Sequence, residues 1–194
     1  MIPGIFKFIT GPMFCGKTEE LIRIATRYTI AQNRVLVCSP KKDTRFGKGV
    51  ICSHNEKALQ SEEIKNFSDI LPKIMNHRLR YDGIFVDEIQ FVNRVNITEI
   101  RYITECLGID LYVAGLTLDS FRVPFPEILN ILPYADILHL EAVCDFCGSF
   151  SARYTYRKTA ESTEQLFVGG KESYCAICST CLKQKESPNE KEVN

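Results

Sequence analysis

Gly4 to Tyr28, GIFKFITGPMFCGKTEELIRIATRY, is the stretch that decides the fold. Gly4 to Thr10 reads as a short apolar strand. Leu21, Ile22, Ala25 and Tyr28 then recur at the spacing of one helix face. Between them, Gly11-Pro12-Met13-Phe14-Cys15-Gly16-Lys17-Thr18 fits G-x-x-x-x-G-K-[ST], the phosphate-binding P-loop. Its glycines let several backbone N–H groups curl toward one anion, and the following helix points its positive end at the same place. Lys17 reaches the β- and γ-phosphates as a point charge, and the Thr18 hydroxyl can ligate Mg²⁺. The plain reading, a glycine turn that happens to precede Lys-Thr, does not explain why the match sits between a strand and a helix.

Working outward, Arg34 to Ser39 is a second apolar strand, and Pro40 to Asn55 is polar and irregular. Ser61 to about His77 has helical spacing through Ile64, Phe67, Ile70, Leu71 and Ile74, with Pro72 as a potential break. Gly83 to Glu88 (GIFVDE) is a buried-type strand ending in two carboxylates. Arg94 to Leu107 reads as helix, and Asp110 to Leu116 as strand again. Strands alternating with helices predict βαβ units, hence an α/β fold with a parallel, doubly wound sheet flanked by helices. Such sheets bind ligands at the carboxyl ends of their strands, where Asp87 and Glu88 fall. Asp87 would hold Mg²⁺, and Glu88 could take a proton from whatever attacks the γ-phosphate. An apolar strand ending in Asp-Glu often just meets solvent, so the pair gains its meaning from the P-loop. An ATPase, with Glu polarising water, uses the same pair; the acceptor stays open at this stage.

The chain has 194 residues, with 24 basic against 24 acidic side chains. Roughly 100–200 residues per domain allows one domain, or one with a small appendage. The balanced charge argues against a protein that coats nucleic-acid backbones. Nine cysteines are the abnormal feature. The N-terminus shows no signal-peptide pattern and no apolar run approaches the ~20 residues of a membrane helix. The expectation is a cytoplasmic protein with reduced thiols and no membrane partner, in which some cysteines bind metal. The pattern changes near Val143, which predicts a P-loop domain over 1–142, a small cysteine-bearing domain over 143–182 and a disordered polar tail over 183–194.

Cys144-Asp-Phe-Cys147 and Cys178-Ser-Thr-Cys181 are two C-x-x-C knuckles, a donor set suited to tetrahedral Zn²⁺. Their separation exceeds the ~15–20 residues of a short zinc finger and requires a longer loop between them. Cys175 also stands in C-x-x-C register with Cys178 and is a potential substitute ligand. A redox pair is the rival reading, but no strand–CxxC–helix context surrounds it. Cys15, Cys38, Cys52 and Cys106 read as packing residues, Cys15 at a variable P-loop position. Zinc ribbons also bind nucleic acid, yet this one lacks basic residues interleaved with aromatics. A structural zinc pinning a loop over a ligand fits better.

Together these motifs resemble the type II thymidine kinases, the family of the human cytosolic and many bacterial and viral enzymes. The matching pieces run in family order from Ile9 to Cys181: the Gly11–Thr18 loop, Asp43-Thr-Arg-Phe46, Ser53-His54, Asp87-Glu-Ile-Gln-Phe91, Gly115-Leu116 with Pro124-Phe125, Ala142-Val-Cys144, Val168-Gly-Gly170 and Tyr174. The resemblance implies transfer of the ATP γ-phosphate to the 5′-hydroxyl of thymidine, and of deoxyuridine. It implies that Glu88 is the general base, that Arg45 lies near the reacting phosphate, and that Asp43 organises that loop. It implies a lasso tied to the zinc module that closes over thymine, with backbone groups reading the base edge and Val168, Gly169, Gly170 and Tyr174 shaping the lid. Phe91 and Leu116 fall in the nucleoside pocket on the same resemblance; Gln90 either lines that pocket with Phe91 or is grouped with the phosphate site. It further implies a homotetramer with thymidine triphosphate as feedback inhibitor.

The plainer readings are a solvated Arg45, a packing Tyr174, a structural His54, and Gln90-Phe91 as the start of a loop. Two departures touch nucleoside specificity. Thr117 stands where the family reads Asp, and ungapped alignment puts Ser120 at the base-stacking aromatic, with Phe121 one place later. The segment after the first knuckle is one residue longer, so Thr155 matches the base-contacting threonine while Tyr154 competes by strict count. The competing functions are a P-loop ATPase whose zinc ribbon binds nucleic acid, and a silent nucleotide-binding regulator, disfavoured because Lys17, Thr18, Asp87 and Glu88 are all present.

Overall fold

A computed structural model describes residues 2–41, 49–52, 58–75, 80–158 and 169–187 of the protein. In chain order the elements are β1 (Phe6–Thr10), α1 (Lys17–Ile30), β2 (Val35–Pro40), β3 (Val50–Cys52), β4 (Ala58–Gln60), β5 (Glu62–Ile64), α2 (Ile70–Met75), β6 (Gly83–Val86), α3 (Ile97–Arg101), β7 (Asp110–Ala114), α4 (Pro126–Leu129), β8 (Asp136–His139), β9 (Tyr154–Arg157), β10 (Tyr174–Ile177) and α5 (Ser179–Glu186). Six strands form one sheet in the order β5-β2-β6-β7-β1-β8, with every neighbouring pair parallel. This is the predicted α/β sheet.

Alternation along the strands builds a core on both faces. Phe6 and Phe8 of β1 join Ile84, Val86, Leu111 and Val113 beneath Ile70, Ile74, Ile100 and Ile103, from α2 to the turn after α3. Ile9, Phe85 and Tyr112 point the other way, against Leu21, Ile22 and Ala25 of α1. The last turns of α1 are fastened by Tyr28. Its ring edges against Phe85 and Tyr112, and its hydroxyl donates to the Asp110 carboxylate and meets Tyr112 Oη at 3.2 Å. Burial and the Asp110 partner push the Tyr28 hydroxyl well above its ordinary range. With this end of α1 held on the sheet, its first turn stays directly beneath the P-loop.

Several local expectations are corrected. The helix expected from Ser61 is a strand first: Glu62 to Ile64 pair with Cys38 to Pro40, because β2 offers an open parallel edge and Ile64 buries there. A single 3₁₀ turn, Phe67–Asp69, precedes α2. Asp69 accepts from the N–H groups of Lys65 and Asn66 at 2.9 Å, which fixes where the helical path begins. Pro72 then sits in the first turn of α2, where a missing N–H costs little. His77 lies outside the described residues. Within the polar stretch after Pro40, Val50 to Cys52 pair antiparallel with Ala58 to Gln60, and Ile51 buries in the α1 side of the core. The helix expected from Arg94 starts only at Ile97, where the Asn96 side chain accepts from Glu99 N, and ends as a π turn over Tyr102–Cys106. Strand β8 has no clear signal in the sequence; it is mostly exposed and borrows its order from β1.

Beyond Leu140 a third, smaller core gathers Ala142, Ala152, Ala176, Ile177 and Leu182 with Cys144, Cys178 and Cys181. β9 and β10 pair antiparallel over it, and Ala142 and Ala152 exchange two backbone bonds of 3.0 Å. Lys183 to Glu186, assigned by composition to the polar tail, continue α5, because Cys181 and Leu182 bury one side of that helix.

Candidate active site and cysteine centre

The P-loop leaves β1 at Gly11, whose φ of 143° is open to glycine. A Cβ there would stand 2.2 Å from Leu140 O, so the close passage of the chain leaving β8 also demands glycine. Lys17 is buried, its Nζ donating to Pro12 O at 2.7 Å and Gly11 O at 3.3 Å. Across the crevice, β6 ends at Val86 and delivers Asp87 and Glu88. Thr18 Oγ1 donates to Asp87 Oδ2 at 2.9 Å and Oδ1 at 3.2 Å. Burial, then the neighbouring Glu88 charge, pushes the Asp87 carboxyl up to about 7. A carboxylate so placed favours a nearby cation, which would restore its ionised form.

Glu88 has φ 47° and ψ 46°, the left-handed region, which costs a non-glycine residue on the order of 1 kcal/mol. The conformation persists because Gln90 braces it. Gln90 Nε2 donates to Glu88 Oε2 at 2.5 Å, while Gln90 Oε1 accepts from Leu116 N at 3.0 Å. Gln90, grouped with the phosphate site from sequence, thus bridges the ends of β6 and β7. Gly115 makes room for it, since a Cβ would lie 2.5 Å from Gln90 Oε1 and 2.7 Å from Ile89 Cγ2. Gly115→Ala is expected to destabilise the protein by about 1–3 kcal/mol through overpacking. It should also lower kcat by releasing Glu88; thermal melting and turnover measured together check both.

The other predicted residues divide. Phe91 and Leu116 are half-buried beside this bridge. Asp119 Oδ1 accepts from Phe121 N and Val123 N, both at 2.8 Å, an Asx-type turn that sets the loop after β7. That turn buries the Ser120 hydroxyl, which has no hydrogen-bond partner among the described residues, and leaves the Phe121 ring about half exposed. The Arg157 guanidinium lies 5.0 Å from the Phe121 ring centre and 5.4 Å from that of Tyr174, and its Nη2 donates to Tyr174 Oη at 2.9 Å. Arg157 thus lies beside both the Phe121 and the Tyr174 rings. Thr155 Oγ1 accepts from Met13 N at 2.9 Å, so this predicted nucleoside contact touches the P-loop. Tyr174 N donates to Gly170 O at 3.0 Å, which places Gly169-Gly170 at the entrance to β10. A cavity of about 150 Å³ lies between Gly11-Pro12, Thr117–Asp119 and Arg153–Thr155; among the described residues it is lined by the predicted nucleoside contact Thr155 and its competitor Tyr154. Asp43, Arg45, His54 and Val168 lie outside the described residues. Sequence reasoning missed Arg157, Asp119 and the bridging role of Gln90. Only Asp119 carried a local signal, as an Asx-turn former before a loop.

The sulfurs of Cys144, Cys147, Cys178 and Cys181 all lie within 4.8 Å of one another. Cys147 and Cys178 Sγ stand 3.8 Å apart, close to the edge of about 3.8 Å that four Zn–S bonds of ~2.3 Å define. Cys178 N donates to Cys144 Sγ at 3.4 Å and Cys181 N to Cys178 Sγ at 3.5 Å. Burial opposes ionisation of Cys144, but the N–H groups of Cys178, Phe146 and Cys147 outweigh it and bring the thiol down to about 6. The donor set fits a structural zinc ion. Cys175 stays outside the group, and burial raises its thiol.

A parallel sheet with a P-loop after its first strand, carboxylates facing it and a four-cysteine centre able to hold a metal ion defines a nucleotide-binding enzyme of the α/β class. The family model described as thymidine kinase matches residues 4–182. A thymidine kinase of Mycoplasma mobile is 37% identical over 188 residues, covering 94% of this chain and 89% of that protein. A thymidine kinase of Yaba monkey tumor virus is 34% identical over 179 residues, covering 92% and 94%. That of Pseudothermotoga lettingae is 29% identical over 188 residues, covering 96% and 99%. The chain belongs to the thymidine kinase family.

Proposed function

We propose that the protein transfers the γ-phosphoryl group of ATP to the 5′-hydroxyl of thymidine, and of deoxyuridine, in nucleotide salvage. The observation that carries this is the facing pair of P-loop and β6 carboxylates, with Glu88 held by Gln90, in a chain matched along residues 4–182 by the thymidine kinase family. Lys17 neutralises charge developing on the β- and γ-phosphates, and the loop amides cradle them. Thr18 and Asp87 would hold Mg²⁺, and their hydrogen bond sets both oxygens where one cation could meet them. The ion would neutralise phosphate charge. Glu88 accepts the proton of the 5′-hydroxyl as its oxygen attacks phosphorus, and ADP departs. By the family resemblance, Arg45 would add positive charge near the transferring group.

On this reading residues 1–142 form the kinase domain. Residues 143–182 form the zinc-held lasso, whose Tyr174, Gly169 and Val168 close over the base with Phe91, Leu116 and Phe121. Thymidine triphosphate, which joins the features of both substrates, acts as feedback inhibitor of a homotetramer working in the cytoplasm. No helix among the described residues is long and apolar enough to cross a membrane.

The test incubates purified protein with labelled ATP, Mg²⁺ and a panel of nucleosides. Phosphorylated thymidine and deoxyuridine are the expected products; no phosphorylated deoxynucleoside from any member overturns the reading. The competing nucleic-acid-stimulated ATPase is not favoured, and it would show phosphate release that rises with added DNA or RNA instead.

A further inference from the structure

The geometry points to Thr155 as a positioning residue for the phosphate loop, through which β9 holds the ATP site in shape; this rests on the kinase reading of that loop. Three consecutive loop residues are anchored on the C-terminal segment. Met13 N donates to Thr155 Oγ1 at 2.9 Å, across 142 residues of chain. The Phe14 ring lies 6.0 Å from Lys171 Nζ. Cys15 packs against the core of Ala142, Ala152, Ala176 and Ile177.

Phe14 sits between the other two anchors with φ 68°, a left-handed conformation for a bulky residue. Such strain persists only where the surroundings over-determine it. The Thr155–Met13 bond and the Cys15 packing supply that constraint from either side. Thr155 is itself fixed: it is 7% exposed and stands opposite Ala176 in the β9–β10 ladder. Without its hydroxyl, the Met13 N–H would face a methyl group and the loop would relax toward another partner. One hydroxyl has a single donor and two acceptor sites, so accepting from Met13 leaves its proton for a ligand on the other side. The same oxygen then stands between the phosphate loop and the proposed nucleoside pocket, and couples them.

The experiment titrates the full chain with a non-hydrolysable ATP analogue and Mg²⁺, in the absence of nucleoside. Thr155→Val should raise the analogue's Kd roughly ten-fold, the effect of one lost buried hydrogen bond. Thr155→Ser, which keeps the oxygen, should restore wild-type affinity. Wild-type-like analogue binding by Thr155→Val, with only the thymidine KM raised, overturns the positioning role and leaves the kinase reading standing. Wild-type protein that binds no analogue overturns both. Hydrogen exchange on the wild-type chain gives a check that needs no variant: the Met13 amide is expected to be protected, and free exchange there overturns the inference.

Discussion

Glu88→Gln is expected to lower kcat by roughly 10²–10⁴-fold, the range lost when a positioned general base is removed. The substitution keeps the side chain's shape, and the new amide's oxygen can still accept from Gln90 Nε2 while Gln90 Oε1 stays on Leu116 N. ATP binding should survive. The Glu88 charge is the second cause, after burial, of the raised Asp87 carboxyl. Removing it lowers the Asp87 value and leaves more carboxylate near neutral pH, so Mg²⁺–ATP should bind at least as well. Turnover of labelled nucleoside, measured beside analogue binding, separates the two effects. Retained turnover would mean that another group takes the proton.

Cys178→Ser is expected to abolish stoichiometric zinc and to unfold the segment around β9, β10 and α5. Cys178 stands at the crossing of the cluster. Its sulfur meets Cys147 and accepts from Cys181 N, its own N–H donates to Cys144, and it caps α5. The core beneath it is mostly alanine and cysteine, too little apolar surface to order the segment unaided. Structural zinc in small modules contributes about 10–16 kcal/mol of folding free energy, so its loss outweighs what remains. Metal analysis should fall from one zinc per chain to near none, with new proteolytic sites between Ala142 and Glu186. Activity should fall with it, because Thr155 and Tyr174 lie on the unfolded strands. Unchanged zinc in this variant would exclude the four-cysteine site.

Each element that was legible in the sequence had a local physical signal. Phe8-Ile9, Ile84-Phe85-Val86 and Leu111-Tyr112-Val113 are apolar runs too continuous for a surface strand, which implies a parallel sheet covered on both faces. The P-loop glycines, the carboxylates after β6 and the paired knuckles are likewise spacings of a few residues. Where signals conflicted, pairing won: Ile64 has helical spacing with Phe67 and Ile70, yet the open edge of β2 takes it into a strand. The loop after β7 follows the same rule. Ungapped alignment puts Ser120 at the base-stacking position and Phe121 one place later; the Asp119 turn buries the Ser120 hydroxyl and leaves the Phe121 ring half exposed beside Arg157.

By itself the sequence determined the fold class, the phosphate site, the β6 carboxylates, the cysteine set and the family resemblance. The fold class, the P-loop, the carboxylates and each cysteine knuckle follow from backbone periodicity or spacing within a few residues, and the resemblance from the order of such pieces between Ile9 and Cys181. Only the tertiary structure decided that Gln90 braces Glu88 against Leu116, that Arg157 lies beside both Phe121 and Tyr174, and that Thr155 meets the phosphate loop. The reason is physical: a polar side chain takes its partner from whatever the packed strands bring within about 3 Å. That partner can lie 142 residues away, beyond the reach of any local pattern.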